Sequence, residues 1–302
     1  MARTEALMDT LISIKAWGPP EVANRSVEAA FQVFRSIEHM ASFHKPETEL
    51  SEWNKRKTFS PSASMTTLLE AASEACRLSG GSFDPTFAIL HRAYGFYDQH
   101  GRIPSDEELQ KNLSFVGWDR MVSRREREWT LASGALVDLG GIAGGFAVDR
   151  AAEVLRQAGC PAFLIDDAGD LFMEGTKPDD RPWKIMVRDP RGQGSLAMVE
   201  SRVPVAVSTS GDYERFVEVD GQRINHIFDP LTGKSAGWYR SVTVVASTSL
   251  AADTLSTALF AMSPERARVL ASEKGIAVLF LPASGSSWVS PAGETWFSQV
   301  AP

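Results

Sequence analysis

The sequence predicts an α+β fold, because runs of period two and runs of period 3.6 both occur without alternating one for one. The second half is also richer in strand-like runs than the first. No internal repeat or low-complexity linker interrupts the 302 residues, and their length allows one domain or two. Residues 11–17 alternate, with Ile12, Ile14 and Ala16 against Ser13 and Lys15, which reads as a half-buried strand. From Pro20 the period changes, and Ala23, Val27, Ala30, Phe31, Phe34, Ile37 and Ala41 fall on one helical face. A second helix over about residues 64–79 turns Leu68, Leu69, Ala72 and Cys76 inward and stops at Gly80-Gly81. Ser105 with Glu108 forms a capping box. Ala147, Ala151, Val154, Leu155 and Ala158 mark a further helix, closed by Gly159. Strands follow at Ala162–Ile165, Lys184–Arg188, Ser241–Ala246 and Ile276–Leu281, and Asp220-Gly221 is a hairpin dipeptide. Helices are predicted at about 249–261 and 264–273, the latter with Ser263 as cap and Pro264 in its first turn.

Composition excludes several classes. Hydrophobic residues make up 43% and charged residues 23%, the balance of a folded chain and not of a disordered one. A net charge of −7 and a pI near 5.4 argue against nucleic acid or an anionic membrane as partner. The densest basic stretch, Arg120 to Arg127, is interleaved with Glu126 and flanked by Glu128, and reads as a solvated face. Cys76 and Cys160 are far apart and in no metal or redox spacing, so no disulfide framework is implied. No apolar run reaches the length of a membrane span, and Met-Ala-Arg-Thr-Glu-Ala-Leu lacks the sections of a secretion signal. The expected compartment is the cytoplasm, or the periplasm if a leader has been trimmed.

Four segments could carry chemistry. In Val137-Asp-Leu-Gly-Gly-Ile-Ala-Gly-Gly-Phe-Ala-Val-Asp149 a buried strand is expected to enter a glycine-rich turn and open a helix. Such a turn either brings backbone N–H groups to an anion or merely makes a tight connection. It does not fit G-x-G-x-x-G. In Ala252-Asp-Thr-Leu-Ser-Thr257, Asp253 and Thr257 are four apart and share a helix face. Two such oxygens suit a hard cation, although spacing alone favours a helix carboxylate beside a packed threonine. His226 and Asp229 lie at the end of a strand before a Pro/Gly turn, where a histidine is either structural or catalytic. Asp84, in Phe83-Asp-Pro-Thr86, holds a ligand's polar edge or organises the turn ahead of Pro85.

Taken in order, these segments resemble the FAD:protein FMN transferase (ApbE) family over nearly the whole chain. Met8-Asp9-Thr10 matches the family's Met-Gly-Thr, and Thr48-Glu-Leu-Ser-Glu-Trp-Asn54 its Ser-Glu-Leu-Ser-Arg-Leu-Asn. Phe83-Asp-Pro-Thr86 with Tyr94-Gly-Phe96 looks like Phe-Asp-x-Thr…Trp-Gly-Phe, and Asp138 to Asp149 like Asp-Leu-Gly-Gly-Ile-Ala-Lys-Gly-Tyr-Ala-x-Asp. Ala168-Gly-Asp170, Thr209-Ser-Gly-Asp-Tyr213, His226-Ile-Phe-Asp-Pro-Leu-Thr-Gly233 and Ala252-Asp…Thr257 complete the series.

The resemblance implies a single T-fold-like domain over residues 1–302, with flavin in a groove between its halves. It implies a magnesium-dependent transfer of FMN from FAD to a threonine hydroxyl of an acceptor flavoprotein, with AMP released. FAD pyrophosphatase activity, or FAD binding without turnover, are the alternatives. Asp253, Thr257 and the carbonyl of Ala143 would hold Mg2+. Met8, Ser82, Phe83, Asp84, Gly140, Phe146 and Phe228 fall at FAD-contacting positions, and His226 matches a histidine of the transfer chemistry. Ser256 stands where some members add a carboxylate, and His44 roughly where a tyrosine lies near the nucleotide. The chain departs from the pattern with Gly144 for a common lysine and Leu231 for a common arginine, which would remove cationic help at the pyrophosphate. A positive φ at Gly144 would also resist a lysine there.

Overall fold

The computed structural model describes residues 1–98, 100–177, 179–192 and 194–299. Strands β1 (Ala2–Leu7) and β2 (Thr10–Trp17) open the chain as an antiparallel pair. Their two-residue turn, Met8-Asp9, holds both residues at positive φ, 53° and 62°, the backbone sense that matches strand twist. Met8 is therefore a turn residue. Helix α1 (Pro20–Ala41) follows with Pro20 in its first turn, and it buries Val27, Ala30, Phe31 and Phe34 completely. Next come α2 (Glu49–Arg56), capped by Thr48, the short β3 (Thr58–Phe59), and α3 (Ala63–Ser79), which ends at Gly80 with φ 59°. A 3₁₀ turn over Pro85–Phe87 leads into α4 (Ala88–Ala93), α5 (Asp106–Leu113) and α6 (Trp118–Met121), and then β4 (Val122–Arg125) and β5 (Glu128–Leu131). Only half of the expected capping box forms. Ser105 Oγ accepts from the Glu108 N–H, but the Glu108 carboxylate pairs with Arg102.

The glycine-rich segment differs from its expectation. Residues 135–139 join no ladder, and the Asn54 side chain satisfies the backbone of Val137 instead: its amide donates to the Val137 carbonyl (2.7 Å) and accepts from the Val137 N–H (2.8 Å). Helix α7 (Gly140–Gln157) begins at the first glycine, so Gly140, Gly141, Gly144 and Gly145 are helical and none has positive φ. Gly145 is needed for a different reason. A β-carbon there would lie 2.7 Å from the Ser249 carbonyl, so its absence lets a second helix cross closely.

The remaining strands are β6 (Ala162–Asp167), β7 (Asp170–Gly175), β8 (Trp183–Arg188), β9 (Ser195–Ser201), β10 (Val205–Gly211), β11 (Phe216–Val219), β12 (Gln222–Asn225) and β13 (Tyr239–Ala246). They are followed by α8 (Ser249–Ala261), α9 (Pro264–Glu273), β14 (Ala277–Pro282), β15 (Trp288–Val289) and β16 (Phe297–Gln299). Ser263 occupies the cap position of α9 but makes no capping bond through its side chain. Eight strands form one antiparallel sheet in the order β1-β2-β6-β7-β10-β13-β14-β15. Its faces follow from strand alternation. Phe163, Ile165 and Phe172 join the main core with α1 and α7, whereas Ala162, Met173 and Val205 pack against Trp183, Val199 and Phe297 of the small sheet β16-β9-β8. Each large side chain so buried contributes about 1.5–3 kcal/mol. Helices α7 and α8 pack on each other, α8 over β10 and β13 and α7 against β6 and β7, and Asp149 ties them by accepting from the N–H groups of Ser249 (2.7 Å) and Leu250 (3.0 Å) at the start of α8. The hairpin β11-β12 turns at Asp220-Gly221, both at positive φ, and is held by Ile224 against a separate cluster containing Tyr94, Leu109 and Phe228. Among the described residues no helix is long and apolar enough to cross a membrane.

Candidate active site

A cavity of about 650 Å³ opens where α7, α8, the ends of β6, β7 and β10, the β1-β2 turn and the β11-β12 hairpin converge. That volume suits a small-molecule ligand. Helix α8 brings Asp253 and Thr257 to its wall, one turn apart, as the spacing predicts. Asp253 is only 7% exposed, and its Oδ2 accepts from the Gly145 N–H at 3.1 Å. Burial first, and then the charge of Asp170, push this carboxyl well above its ordinary range. Thr257 Oγ1 lies 3.2 Å from Ser210 Oγ. Ser256 is fully buried behind them. It donates to the Asp253 carbonyl and reaches Ser208 and Ser210, so it braces the site without lining it.

The β6-β7 turn supplies two carboxylates that no motif singled out as ligands. Its two loop residues, Ala168 and Gly169, both have positive φ, which sets Asp167 directly opposite Asp170. Like charges so placed repel. Burial together with Asp170 and Asp166 raises the Asp167 carboxyl to about 7, and burial raises Asp170 to about 6 against the hydrogen bond from Ser208. Gly144 leaves open the point on which these groups converge. Its β-carbon position would be 3.1 Å from Asp167 Oδ2, 3.4 Å from Asp170 Oδ2 and 3.9 Å from Asp253 Oδ2.

His226 lines the opposite rim, on the residue after β12. Its Nδ1 lies 3.0 Å from the Arg215 carbonyl. A carbonyl only accepts, so Nδ1 carries the proton and Nε2 keeps a lone pair. Burial, then the neighbouring His91 and Arg215, push its pKa down to about 3, so the ring is neutral at pH 7. His91 Nε2–H donates to the His226 carbonyl at 2.8 Å and fixes the backbone from below. Phe43 and Tyr97 stack at 4.1 Å on the third wall, with His44 edge-on to Tyr97. The Tyr97 hydroxyl donates to Asp138 Oδ2, while Asp138 Oδ1 accepts from the Gly140 N–H at the start of α7.

The structure thus brings Met8, Gly140, Ala143, His226, Asp253 and Thr257 to one cavity. Ser82, Phe83, Asp84, Phe146 and Phe228 do not line it. Both Asp84 oxygens are engaged locally, by the Thr86 N–H and hydroxyl and by the Trp118 N–H, so here the aspartate organises a turn. Ser82 and Phe83 are buried beside it, with the Phe83 ring against Gly141 of α7. Phe146 packs under Arg150, and Phe228 stacks on Tyr94 beneath the hairpin. Leu231 is 75% exposed and also lies off the wall. Sequence reasoning missed Asp167, Tyr97, Phe43 and Arg215. Of these, only Asp167 had a usable signal, a second acid in the Asp-Asp-Ala-Gly-Asp run.

Known proteins share this sequence and fold along most of the chain. A FAD:protein FMN transferase of Vibrio cholerae is 30% identical over 283 residues, covering 91% of this chain and 85% of that one. The ApbE protein of Thermotoga maritima has a closely similar crystal structure, with a TM-score of 0.91 at 28% identity over 98% of each chain. The apo flavinyl transferase ApbE of Pseudomonas stutzeri gives a TM-score of 0.88 at 28% identity, covering 100% of this chain and 98% of that one. The model of the ApbE family matches residues 8–280, and the chain belongs to that family.

Proposed function

We propose that this protein transfers FMN from FAD to a threonine hydroxyl of an acceptor flavoprotein, releasing AMP. The observation that carries this reading is one cavity with a neutral histidine on one rim and buried carboxylates on the facing wall. Its kinship with FAD:protein FMN transferases supplies the substrate class.

The residues present suit magnesium. Asp253 is buried beside Asp170, and neither is ion-paired among the described residues. No group of three His, Cys, Asp or Glu side chains among those residues forms a metal centre of its own. A set of one carboxylate, the Thr257 hydroxyl and the Ala143 carbonyl, completed by water and phosphate, is the kind a hard cation accepts. When bound there, magnesium supplies positive charge against the pyrophosphate oxygens.

The chain's own residues do the rest. The Phe43–Tyr97 stack offers a flat surface for a planar ring. His226 Nε2 takes the proton of the acceptor hydroxyl as its oxygen bonds to the FMN-side phosphorus. The bridging P–O bond breaks, and AMP leaves with that electron pair. A hydrolase would use water in place of the hydroxyl. The test is incubation with FAD, magnesium and a threonine-containing acceptor peptide, followed by denaturing electrophoresis. Flavin fluorescence should stay with the acceptor and vanish when its threonine is replaced by valine. A non-fluorescent acceptor, in the presence of intact bound FAD, would overturn the reading.

A further inference from the structure

The cavity poses an electrostatic problem. Among the described residues its wall carries seven carboxylates, Asp9, Glu38, Asp138, Asp167, Asp170, Glu214 and Asp253, yet Arg215 is the single lysine or arginine lining it. Among these acids Glu38 is paired with Lys45, outside the wall. A pyrophosphate dianion entering here meets far more negative than positive charge.

We propose that Arg215 is a catalytic residue of this cavity, its guanidinium contacting the substrate's pyrophosphate and stabilising the charge that develops on the leaving phosphate. Three observations support the assignment. Arg215 takes part in no ion pair among the described residues, although most arginines of the chain do. It lies on the segment entering β11, and its carbonyl accepts from both the His226 N–H (3.1 Å) and Nδ1 (3.0 Å). The wall arginine and the base are therefore fixed to each other by backbone register. The guanidinium is also close enough for its charge to be felt at His226, His91 and Tyr97, secondary in each case to burial. It is exposed in the open cavity, where water screens it, and it gains strength once substrate and acceptor exclude that water. Arginine's planar fork suits phosphate oxygens, a contact that a lysine reproduces only as a point charge.

This rests on the transfer reading above, and the experiment separates the two. Replacing the side chain leaves the carbonyl that holds His226 in place. Arg215→Ala should lower the maximal transfer rate about a hundredfold, while FAD affinity, read by flavin fluorescence quenching, changes less than about tenfold. Arg215→Lys should recover part of the rate, and millimolar guanidinium ion should restore Arg215→Ala without accelerating the wild type. A merely structural arginine would give Lys and Ala variants equally slow, a lowered melting temperature and no rescue by guanidinium. That pattern, or an Arg215→Ala rate within twofold of wild type, overturns the assignment. An inactive wild type would instead sink the transfer reading.

Discussion

The two sides of the cavity are built in opposite ways. Asp253, Asp167 and the half-buried Asp170 stand on the eight-stranded sheet and the crossed helices α7 and α8, braced by Gly145, Ser208 and Ser256. Arg215 and His226 flank a two-stranded hairpin anchored by Val217, Val219 and Ile224 in a small separate cluster with Phe228. The difference is instructive. Repelling carboxylates cost stability, and only the most heavily packed part of a fold tolerates them uncompensated. A neutral base needs little more than one well-placed carbonyl, which a hairpin can supply. The repelling carboxylates thus sit on the core, while the base and the cation beside it sit on the hairpin.

The largest effect should come from breaking the core side. Asp253→Ala should reduce magnesium-dependent transfer more than about a hundredfold, because a hard cation loses its carboxylate ligand. Circular dichroism should be unchanged, and the metal-free melting temperature should hold or rise, since a buried carboxylate repelled by Asp170 has been removed. Retained activity would show that the metal lies elsewhere.

His226→Ala tests the other side and should cost roughly 10²–10⁴ in rate, the usual range for a general base. FAD binding should survive. The wild-type pH–rate profile reads the base directly. A histidine whose folded pKa is depressed to about 3 stays unprotonated above that value, so no acid limb near 6.5 should arise from it. The stability it contributes is present above pH 6.5 and is lost as pH falls toward 3. A limb at 6.5 that disappears in His226→Ala would contradict the burial argument.

A smaller effect concerns recognition. If the cavity holds both halves of the dinucleotide, FAD should bind at least about tenfold more tightly than FMN in a fluorescence titration with magnesium. Equal affinities would mean that the adenylate half is not held. Smaller still is Gly144→Lys. With φ outside the left-handed region, no backbone strain opposes the change, and the ammonium would enter among Asp167, Asp170 and Asp253. The metal-free protein should melt about 2–4 °C higher, equivalent to about 1 kcal/mol. Unaltered melting would show that these carboxylates are already neutral. Leu231→Arg should change the transfer rate less than twofold, because its side chain is exposed away from the cavity.

The regular elements were legible in sequence because their signals are local. The periodicity of α1, the Asp220-Gly221 turn and the shared face of Asp253 and Thr257 all depend on neighbours within one turn or one hairpin. The segment from Val137 to Gly145 was misread because an apolar run before glycines resembles a strand entering a turn. Its backbone partner is the Asn54 side chain, 83 residues away. Arg215 was invisible for a related reason, since hairpin placement brings it to the wall without a periodic trace, and Asp167 showed only as one more acid in the Asp-Asp-Ala-Gly-Asp run. Conversely, Ser82, Phe83 and Asp84 lie in a conspicuous motif whose bonds here go to the 3₁₀ turn and to Trp118.

The most direct test of the account counts two products at once. Wild-type protein is incubated with FAD and magnesium, with and without acceptor, and AMP and covalently attached flavin are quantified over the same time course. The account predicts one AMP for each flavin attached and almost no AMP when acceptor is withheld. AMP accumulating equally without acceptor would contradict it, and would make water the nucleophile in this cavity.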